Sequence, residues 1–187
     1  MVTILRIGHR IKRDKRITTH LALVARAFGA ARLIIAGDED IKLIKSIQKV
    51  NLEWGGNFQL KMIPYDEWKT FVEEWGNDEN HKIVHLTMYG ENLSNFEQLE
   101  AFNKIEKHLE NLLIIVGGKK IPGKIFQYAD WNIAISNQPH SEVSSLAVFL
   151  DHINSNALQI NYPNALKQII PSLEGKKGYI GNQHNGD

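Results

Sequence analysis

The sequence predicts an α/β fold with a mainly parallel sheet and helices on both faces. Short apolar runs alternate about six times with segments whose apolar residues have helical spacing. Most of the apolar runs lack alternating polar residues, which is typical of strands buried on both faces. The chain has 187 residues, 43% of them hydrophobic, enough for one domain with its own core.

Turn residues bound each apolar run, so these runs are the predicted strands. They are Val2–Ile7, Arg32–Ala36, Phe58–Ile63, Lys82–Leu86, Leu112–Val116 and Trp131–Ser136. The segments between and after them are the predicted helices, namely Thr19–Phe28, Asp40–Leu52, Asp66–Trp75, Asn95–Leu109 and Glu142–Ile153. Gly29 is a candidate C-cap for the first helix, and Ser141 is a candidate N-cap for the last.

The composition changes after about Asn154, where Asn, Gly and Pro become frequent. We therefore expect one domain over residues 1–155 and a C-terminal extension over residues 156–187. The extension should contain one or two short elements, and its last dozen residues should be mobile.

Several classes of protein are disfavoured by the composition. The chain has no cysteine, which excludes disulfides, thiolate zinc sites and cysteine nucleophiles. No apolar run reaches the ~18 residues of a membrane-spanning helix. Near the start, positive charge follows a short apolar stretch, the reverse of the order in a secretory signal. We therefore expect a cytoplasmic protein with no membrane partner.

The net charge of +1 conceals an asymmetric distribution. All six arginines lie in the first 32 residues, where eight basic residues and one acidic residue give a formal charge of +7. The remaining 155 residues carry a formal charge of −6. This asymmetry suggests a surface that binds a polyanion, and guanidinium groups favour phosphate because they bind it bidentately. The alternative is a solvated charged loop.

Ligands of parallel α/β sheets bind beyond the carboxyl ends of the strands, so the loops after strands are of interest. The first is HLTMYGEN, in which His85 to Gly90 should form a turn into the next helix. His81 and His85 are four residues apart, but in or beside a strand this spacing separates them by ~13 Å. A metal site is therefore disfavoured, and His85 is expected to pack or to cap.

The second loop follows Leu112–Val116. Residues 118–125, GKKIPGKI, nearly match the phosphate-binding pattern G-x-x-x-x-G-K-[ST]. Ile125 stands where that pattern has the hydroxyl that holds Mg²⁺, and Pro122 removes a backbone N–H. The loop is either a Gly-rich strand exit or a turn through which Gly117 and Gly118 let the backbone approach a ligand.

The third loop, ISNQPHSEV, carries five polar side chains in the six positions 137–142. Ser141 and the helix start explain part of this polarity without any function. The adjacent His140 and Ser141 do not indicate a hydrolase, because the nucleophile motif G-x-S-x-G is absent.

Four segments occur in the order GHRIKRDKRITTHLALVARAFGA, HLTMYGEN, IIVGGKKIP and AISNQPHSEVSSLAVFLD. Together they closely resemble the archaeal tRNA (cytidine(56)-2′-O)-methyltransferases of the SPOUT superfamily, over roughly residues 2–155. The resemblance implies a deep trefoil knot, S-adenosyl-L-methionine bound in that knot, and a homodimer. It also implies methyl transfer to the ribose 2′-hydroxyl of cytidine 56 in the T loop of tRNA.

The resemblance assigns the three loops to the cofactor. The implied cofactor-binding residues are Leu86, Gly90, Gly117, Gly118, Lys119, Lys120, Ile121, Ile135, Ser136, Asn137, Gln138, Pro139, His140, Ser141 and Glu142. Leu86, Ile121 and Ile135 would supply apolar walls for adenine. The carboxylate of Glu142 would match the positively charged end of the cofactor.

The resemblance also implies an arginine near the target ribose. The candidate arginines are Arg10, Arg13 and Arg16. We favour Arg16, with His20 as its partner, and keep Arg10 as the second choice for the catalytic residue. Because arginine stays protonated, its expected role is to anchor phosphate and to activate the hydroxyl electrostatically. No metal is required, because the sulfonium already activates the methyl group. Two alternatives stay open: a nucleotide-binding phosphotransferase that uses the GGKKIPGK loop, and a non-catalytic RNA-binding protein.

Overall fold

The computed structural model describes residues 1–96, 105, 108–117, 121–162 and 164–177, and the backbone of Tyr179–Gly181. Six strands form one sheet: β1 Thr3–His9, β2 Arg32–Gly37, β3 Gln59–Ile63, β4 Lys82–Asn92, β5 Leu112–Gly117 and β6 Trp131–Ala134. The strand order is β3-β2-β1-β5-β4-β6, and every neighbouring pair is parallel. The predicted parallel sheet is confirmed.

The helices that can be bounded within the described residues are α1 Ile11–Ala27, α2 Ile41–Trp54, α3 Trp68–Gly76, α4 Leu93–Phe96, α5 Ile125–Tyr128 and α6 Glu142–Ile153. Short 3-10 helices cover Tyr65–Glu67, Leu109–Asn111 and Ala157–Gln159. Ser141 caps α6 as expected, because its Oγ accepts from the Ser144 N–H at 3.2 Å. The predicted helix Asn95–Leu109 falls largely on residues 97–104, 106 and 107, which lie outside the described residues.

The core has two parts, one on each face of the sheet. On one face, residues of α1, α2 and α6 such as Leu21, Ile47 and Phe149 pack on Ile4 and Leu33. On the other face, α3 and α5 contribute Trp68, Val72 and Ile125, which pack on the opposite side of the same strands. Because helices cover both faces of the sheet, the side chains on both faces of its strands are buried, which explains why the strands are apolar throughout.

Helix α1 begins at Ile11, eight residues before the predicted start at Thr19. Its first turns are highly charged and lack an apolar stripe, so periodicity did not detect them. Carboxylates stabilise this end: Asp38 accepts from the Ile11 N–H at 3.1 Å, and Asp14 accepts from the Arg10 N–H at 3.2 Å. The alternative of a charged loop is therefore wrong for residues 11–18.

Strand β4 also differs from the prediction. The sequence predicts a strand that ends at Leu86 and a turn over His85 to Gly90, but β4 continues to Asn92. Leu86 and Glu91 both align with Ile133 of β6, so the intervening residues bulge out of the strand. The bulge leaves pairing with β6 possible on both sides, which the sequence pattern did not indicate.

The described part of residues 156–181 packs against α1 and α2. The Tyr162 hydroxyl donates to the Arg26 carbonyl oxygen at 2.9 Å, and Lys167 pairs with Glu53 at 2.9 Å. Strands β7 Lys167–Ile169 and β8 Tyr179–Gly181 form an antiparallel pair. Residues 163, 178 and 182–187 lie outside the described residues, and the expectation of a mobile end falls largely on them. Among the described residues, no helix is long and apolar enough to cross a membrane.

Candidate active site

The bulge of β4 is tied directly to the loop after β6. The Asn137 Nδ2 donates to the carbonyl oxygens of Met88 at 2.9 Å and of Gly90 at 3.2 Å. Gly90 has no room for a side chain, because a Cβ there would lie 2.5 Å from the Asn132 carbonyl oxygen. The glycine therefore permits the close approach that brings these two loops together.

The loop after β5 reaches the same edge of the sheet. Gly117 ends β5 and pairs with Ile7 of β1. A Cβ on Gly117 would lie 2.9 Å from the Ile121 side chain and 2.9 Å from the Ile7 carbonyl oxygen, so Ile121 folds closely over this glycine. Gly118, Lys119 and Lys120 lie outside the described residues.

The third loop ends at α6, whose first residue makes a buried ion pair with β1. The Arg6 Nη2 and Nε donate to the same oxygen, Oε1, of Glu142 at 2.7 Å and 3.2 Å. The exposed fractions of the two side chains are 2% and 10%. Among the described residues, the Arg6 Nη1 and the Glu142 Oε2 are buried without a hydrogen-bond partner. Each therefore has unused capacity to bind a group that enters the site.

A cavity of about 420 Å³ lies beside this ion pair. It is lined by the ends of β1 and β2, the first turns of α1, Tyr65 and Glu142; the residues are Arg6, Ile7, Gly8, His9, Arg10, Arg13, Asp14, Gly37, Asp38, Tyr65 and Glu142. Its volume is in the range of small-ligand sites. Since Glu142 ends the third loop, the cavity borders that loop.

His9 is buried beside this cavity. Its Nδ1 lies 2.9 Å from the Thr18 Oγ1, which itself donates to the Asp14 carbonyl oxygen. Because that hydroxyl hydrogen is already used, the ring Nδ1 must donate to the Thr18 oxygen. Burial lowers the pKa of His9, and the positive charge of Arg6 lowers it further. His9 is therefore a neutral ring at pH 7.

The six arginines have two kinds of environment. Arg6 pairs with Glu142, Arg26 donates to the carbonyl oxygens of Trp54 and Gly55, and Arg32 donates to the Thr3 hydroxyl. The remaining three, Arg10, Arg13 and Arg16, are exposed at the start of α1. The basic surface is therefore made by half of the arginines, while the others have structural contacts.

Comparisons with known proteins bear on what this site does. A family model described as "tRNA ribose 2′-O-methyltransferase, aTrm56" matches residues 54–179. Proteins named tRNA (cytidine(56)-2′-O)-methyltransferase are similar over nearly the whole chain. The protein of Thermococcus kodakarensis is 45% identical over 95% of this chain and 96% of its own length. That of Metallosphaera sedula is 47% identical over 92% of this chain and 95% of its own.

The chain belongs to this tRNA ribose 2′-O-methyltransferase family. The resemblance seen in the four sequence segments is thereby confirmed.

Solved structures confirm the SPOUT-type fold of this family member. An RNA 2′-O ribose methyltransferase superposes with a TM-score of 0.56 at 17% identity, over 81% of this chain and 54% of that chain. The SpoU methyltransferase AviRb from Streptomyces viridochromogenes, in complex with AdoMet, gives 0.55 at 15% identity, over 82% and 56%. The chain thus spans about half the length of these two proteins.

Within this family member, the structure places some of the expected site residues in contact and leaves others apart. Gly90 contacts Asn137, Gly117 packs closely against Ile121, and Glu142 pairs with Arg6. The first four lie at or after the carboxyl ends of parallel strands that end at one edge of the sheet. Arg10 lines the cavity, whereas Arg16 and His20 are exposed and lie outside its lining. Gln138, Pro139 and His140 are exposed in the third loop.

Sequence reasoning did not single out Arg6, which lines the cavity. It was counted only as part of the basic segment, although an arginine inside an apolar strand run is a recognisable signal of a buried partner. Arg13, one of the three candidate arginines, also lines the cavity, whereas the favoured Arg16 does not.

His85 is packed, as expected. Its Nδ1 lies 2.9 Å from the Asn132 Oδ1, its ring meets the edge of Phe126, and burial lowers its pKa. His81 instead stacks on Trp75, so the two histidines serve separate contacts. Among the described residues, no group of three or more His, Cys, Asp or Glu side chains could hold a metal ion.

Proposed function

We propose that this protein transfers a methyl group from S-adenosyl-L-methionine to the ribose 2′-hydroxyl of cytidine 56 in the T loop of tRNA. The observation that carries the proposal is a cavity lined by the end of β1, by Glu142 and by the basic start of α1. Strand β1 lies in a parallel sheet in which β5, β4 and β6 follow it in the strand order. The names of relatives that are 40–47% identical over nearly the whole chain support the choice of substrate.

The three loops would hold the cofactor. Ile121 offers apolar surface that is only partly buried, whereas Leu86 packs in the core beneath the loop. The tight approaches at Gly90 and Gly117 leave no side chain between the backbone of these loops and neighbouring strands. Such surroundings suit adenine, which needs apolar walls and backbone hydrogen bonds. The proposed binding residues are Leu86, Gly90, Gly117, Gly118, Lys119, Lys120, Ile121, Ile135, Ser136, Asn137, Gln138, Pro139, His140 and Ser141. Glu142, which the resemblance adds to this set, lines the cavity beside Arg6. When bound, the cofactor supplies a methyl group activated by a positively charged sulfur.

The exposed basic residues of α1 would hold the RNA. Arg10 and Arg13 line the cavity, and Arg13, Arg16 and His20 follow one another at intervals of three and four residues. Residues at these intervals share a face of a helix, so Arg16 and His20 extend the basic surface away from the cavity. We assign Arg16, with His20, to phosphate anchoring near the target ribose, and Arg10 to the cavity end of this surface.

Three further properties belong to the same proposal. The first is a deep trefoil knot around the loops after β4, β5 and β6. The second is a homodimer, and the third is location in the cytoplasm with the tRNA substrate. The SpoU-type neighbours support the knot, because they share the fold. One chain has a mass of 21.3 kDa, so sedimentation analysis at micromolar concentration should show a species of twice this mass. A species with the mass of one chain would contradict the dimer.

The decisive test of the function uses labelled S-adenosylmethionine and an in vitro transcript of an archaeal tRNA. We expect label at one nucleotide, cytidine 56, identified by nuclease digestion and mass mapping. A matched transcript with 2′-deoxycytidine at that position should accept none. Absence of label in the unmodified transcript would contradict the proposal, and RNA binding without transfer would favour the non-catalytic alternative.

The phosphotransferase alternative is disfavoured by the position of Ile125. This residue is completely buried at the start of α5 and packs in the core beneath the sheet. A hydroxyl at that position would face the core and not a phosphate. Thermal shift assays should therefore show stabilisation by S-adenosylmethionine and none by ATP with Mg²⁺.

A further inference from the structure

We infer that Glu142 is the group that accepts the proton of the ribose 2′-hydroxyl, and that Arg6 is the residue that positions it. This inference rests on the proposed function, since it names the proton acceptor of that reaction. It gives Glu142 a different role from the cofactor contact that the family resemblance implies.

The geometry of the ion pair leaves one carboxylate oxygen available. Arg6 engages only Oε1, through both Nε and Nη2, while Oε2 is buried and unpartnered among the described residues. Burying a carboxylate oxygen without a hydrogen-bond donor costs free energy. Such an oxygen is therefore expected where a bound ligand donates the missing hydrogen bond. Because Glu142 also lines the cavity, a hydroxyl that enters the cavity can supply it.

The reaction needs such an acceptor. As the ribose oxygen forms its bond to the methyl carbon, the carbon–sulfur bond breaks and its electron pair stays on sulfur, which becomes a neutral thioether. The O–H bond breaks too; its electron pair remains on the ribose oxygen and its proton passes to the Glu142 Oε2. The carboxylic acid then returns the proton to solvent through the cavity. The products are the methyl ether, the thioether and one released proton.

The other polar groups that line the cavity are less suitable acceptors. The guanidinium groups of Arg10 and Arg13 stay protonated. Asp14 accepts hydrogen bonds from the backbone and the side chain of Arg10, and Asp38 accepts from the Ile11 N–H. The His9 Nδ1 already donates to Thr18. The His9 Nε2 is also buried without a hydrogen-bond partner among the described residues, but it faces the Asp40 carboxylate at 3.8 Å. Glu142 thus combines burial, a free oxygen and a position on the cavity.

Arg6 has two functions in this arrangement. It holds the carboxylate through two donors on a β-strand in the centre of the sheet, which restricts the orientation of Oε2. Its own Nη1 is also buried and unpartnered among the described residues, so it can donate to an oxygen of the bound nucleotide. Arg6 acts through Glu142 and does not itself take the proton.

The test compares Glu142→Gln with the wild-type protein and with Glu39→Gln, an exposed carboxylate on the β2–α2 connection. Glutamine keeps the shape and an oxygen acceptor but cannot act as the base. We expect kcat to fall at least about 100-fold, the usual range for loss of a general base, with unchanged Glu39→Gln activity. The dissociation constants of S-adenosylmethionine, from calorimetry, and of tRNA, from filter binding, should change less than about twofold.

Two results would overturn the inference. A kcat of Glu142→Gln near the wild-type value excludes Glu142 as the proton acceptor. A large rise in the dissociation constant of S-adenosylmethionine, with kcat retained at saturation, makes Glu142 a cofactor ligand instead. Both outcomes can be distinguished from failure of the proposed function, because in that case the wild-type protein itself methylates no tRNA.

A second variant keeps the inference testable if glutamine disturbs folding. Glu142→Asp retains the negative charge but withdraws the carboxylate by one methylene group. We expect it to bind cofactor and tRNA normally and to lose at least about tenfold in kcat, since small displacements of a reacting group cost rate. Full activity of a folded Glu142→Asp protein would contradict the role.

Discussion

Arg6 and Glu142 are 136 residues apart in the chain, yet they form a buried ion pair of 2.7 Å that joins the first strand to the last long helix. Both residues line the cavity. A substitution that removes only one of the two charges should therefore affect the free energy of unfolding as well as catalysis.

Arg6→Met should destabilise the protein, because it leaves the Glu142 carboxylate buried without its partner. We expect the free energy of unfolding, measured by chemical denaturation, to fall by about 3–5 kcal/mol. The double variant Arg6→Met with Glu142→Leu removes both charges and should recover much of that loss. If the double variant is no more stable than Arg6→Met, the loss of stability does not come from a buried Glu142 carboxylate that has lost its partner.

Gly90→Ala should separate the β4 bulge from β6, because the new Cβ would lie 2.5 Å from the Asn132 carbonyl oxygen. Overpacking of this kind costs about 1–3 kcal/mol, and we expect weaker binding of S-adenosylmethionine in calorimetry. Gly123→Ala is the matched control, since a Cβ there meets nothing within 4 Å. Equal affinities for both variants would argue against the bulge as part of the cofactor site.

Tyr162→Phe should weaken the attachment of the C-terminal extension to α1. The variant loses the hydrogen bond from the Tyr162 hydroxyl to the Arg26 carbonyl oxygen but keeps the ring, whose centroid lies 4.5 Å from the Arg26 guanidinium carbon. We expect a loss of about 1 kcal/mol in the free energy of unfolding. Tyr89→Phe, with an exposed side chain, should leave stability unchanged; similar losses in both variants would refute the contact.

The stability of the protein should rise with pH as the pH approaches and passes 6.5, the ordinary pKa of histidine. Burial lowers the pKa values of His9 and His85 below 6.5, so in this range the unfolded chain binds more protons than the folded one. The contribution of these two groups to the free energy of unfolding then increases with pH until the unfolded histidines are neutral.

Thermal denaturation at pH 5.5 and 7.5 would measure this effect as a lower Tm at pH 5.5. His85→Gln removes one of the two titrating groups and should reduce the difference between the two pH values. Carboxylates with lowered pKa, such as Glu53, contribute only nearer their ordinary value of 4.5. A Tm that is the same at pH 5.5 and 7.5 would contradict the buried neutral histidines.

Arg16→Ala should abolish methyl transfer while S-adenosylmethionine still binds. If Arg16 contacts one phosphate, the slope of log Kd for tRNA against log salt concentration should decrease by about 1. Lys45→Ala, an exposed lysine on α2, is the control and should leave the slope unchanged. Transfer that survives in Arg16→Ala but is lost in Arg10→Ala would give the catalytic role to Arg10.

Much of the fold could be read from the sequence because its signals are local. Apolar runs such as Leu112–Val116 predicted strands of a parallel sheet, and the spacing in Glu142–Ile153 predicted α6 with both bounds correct. The family segments further identified the three loops. These features depend on residues that are close in the chain, where periodicity and turn residues carry the information.

The tertiary structure decided what local patterns do not contain. The start of α1 depends on Asp38, a residue of another connection, and the bulge of β4 depends on pairing with β6. Whether an arginine is a surface charge or a buried partner also depends on distant residues: Arg6 meets Glu142, Arg26 meets Tyr162, and Arg16 stays exposed. The charge of a side chain is set by its own chemistry, whereas its burial and its partners are set by the packing of segments that are far apart in the sequence.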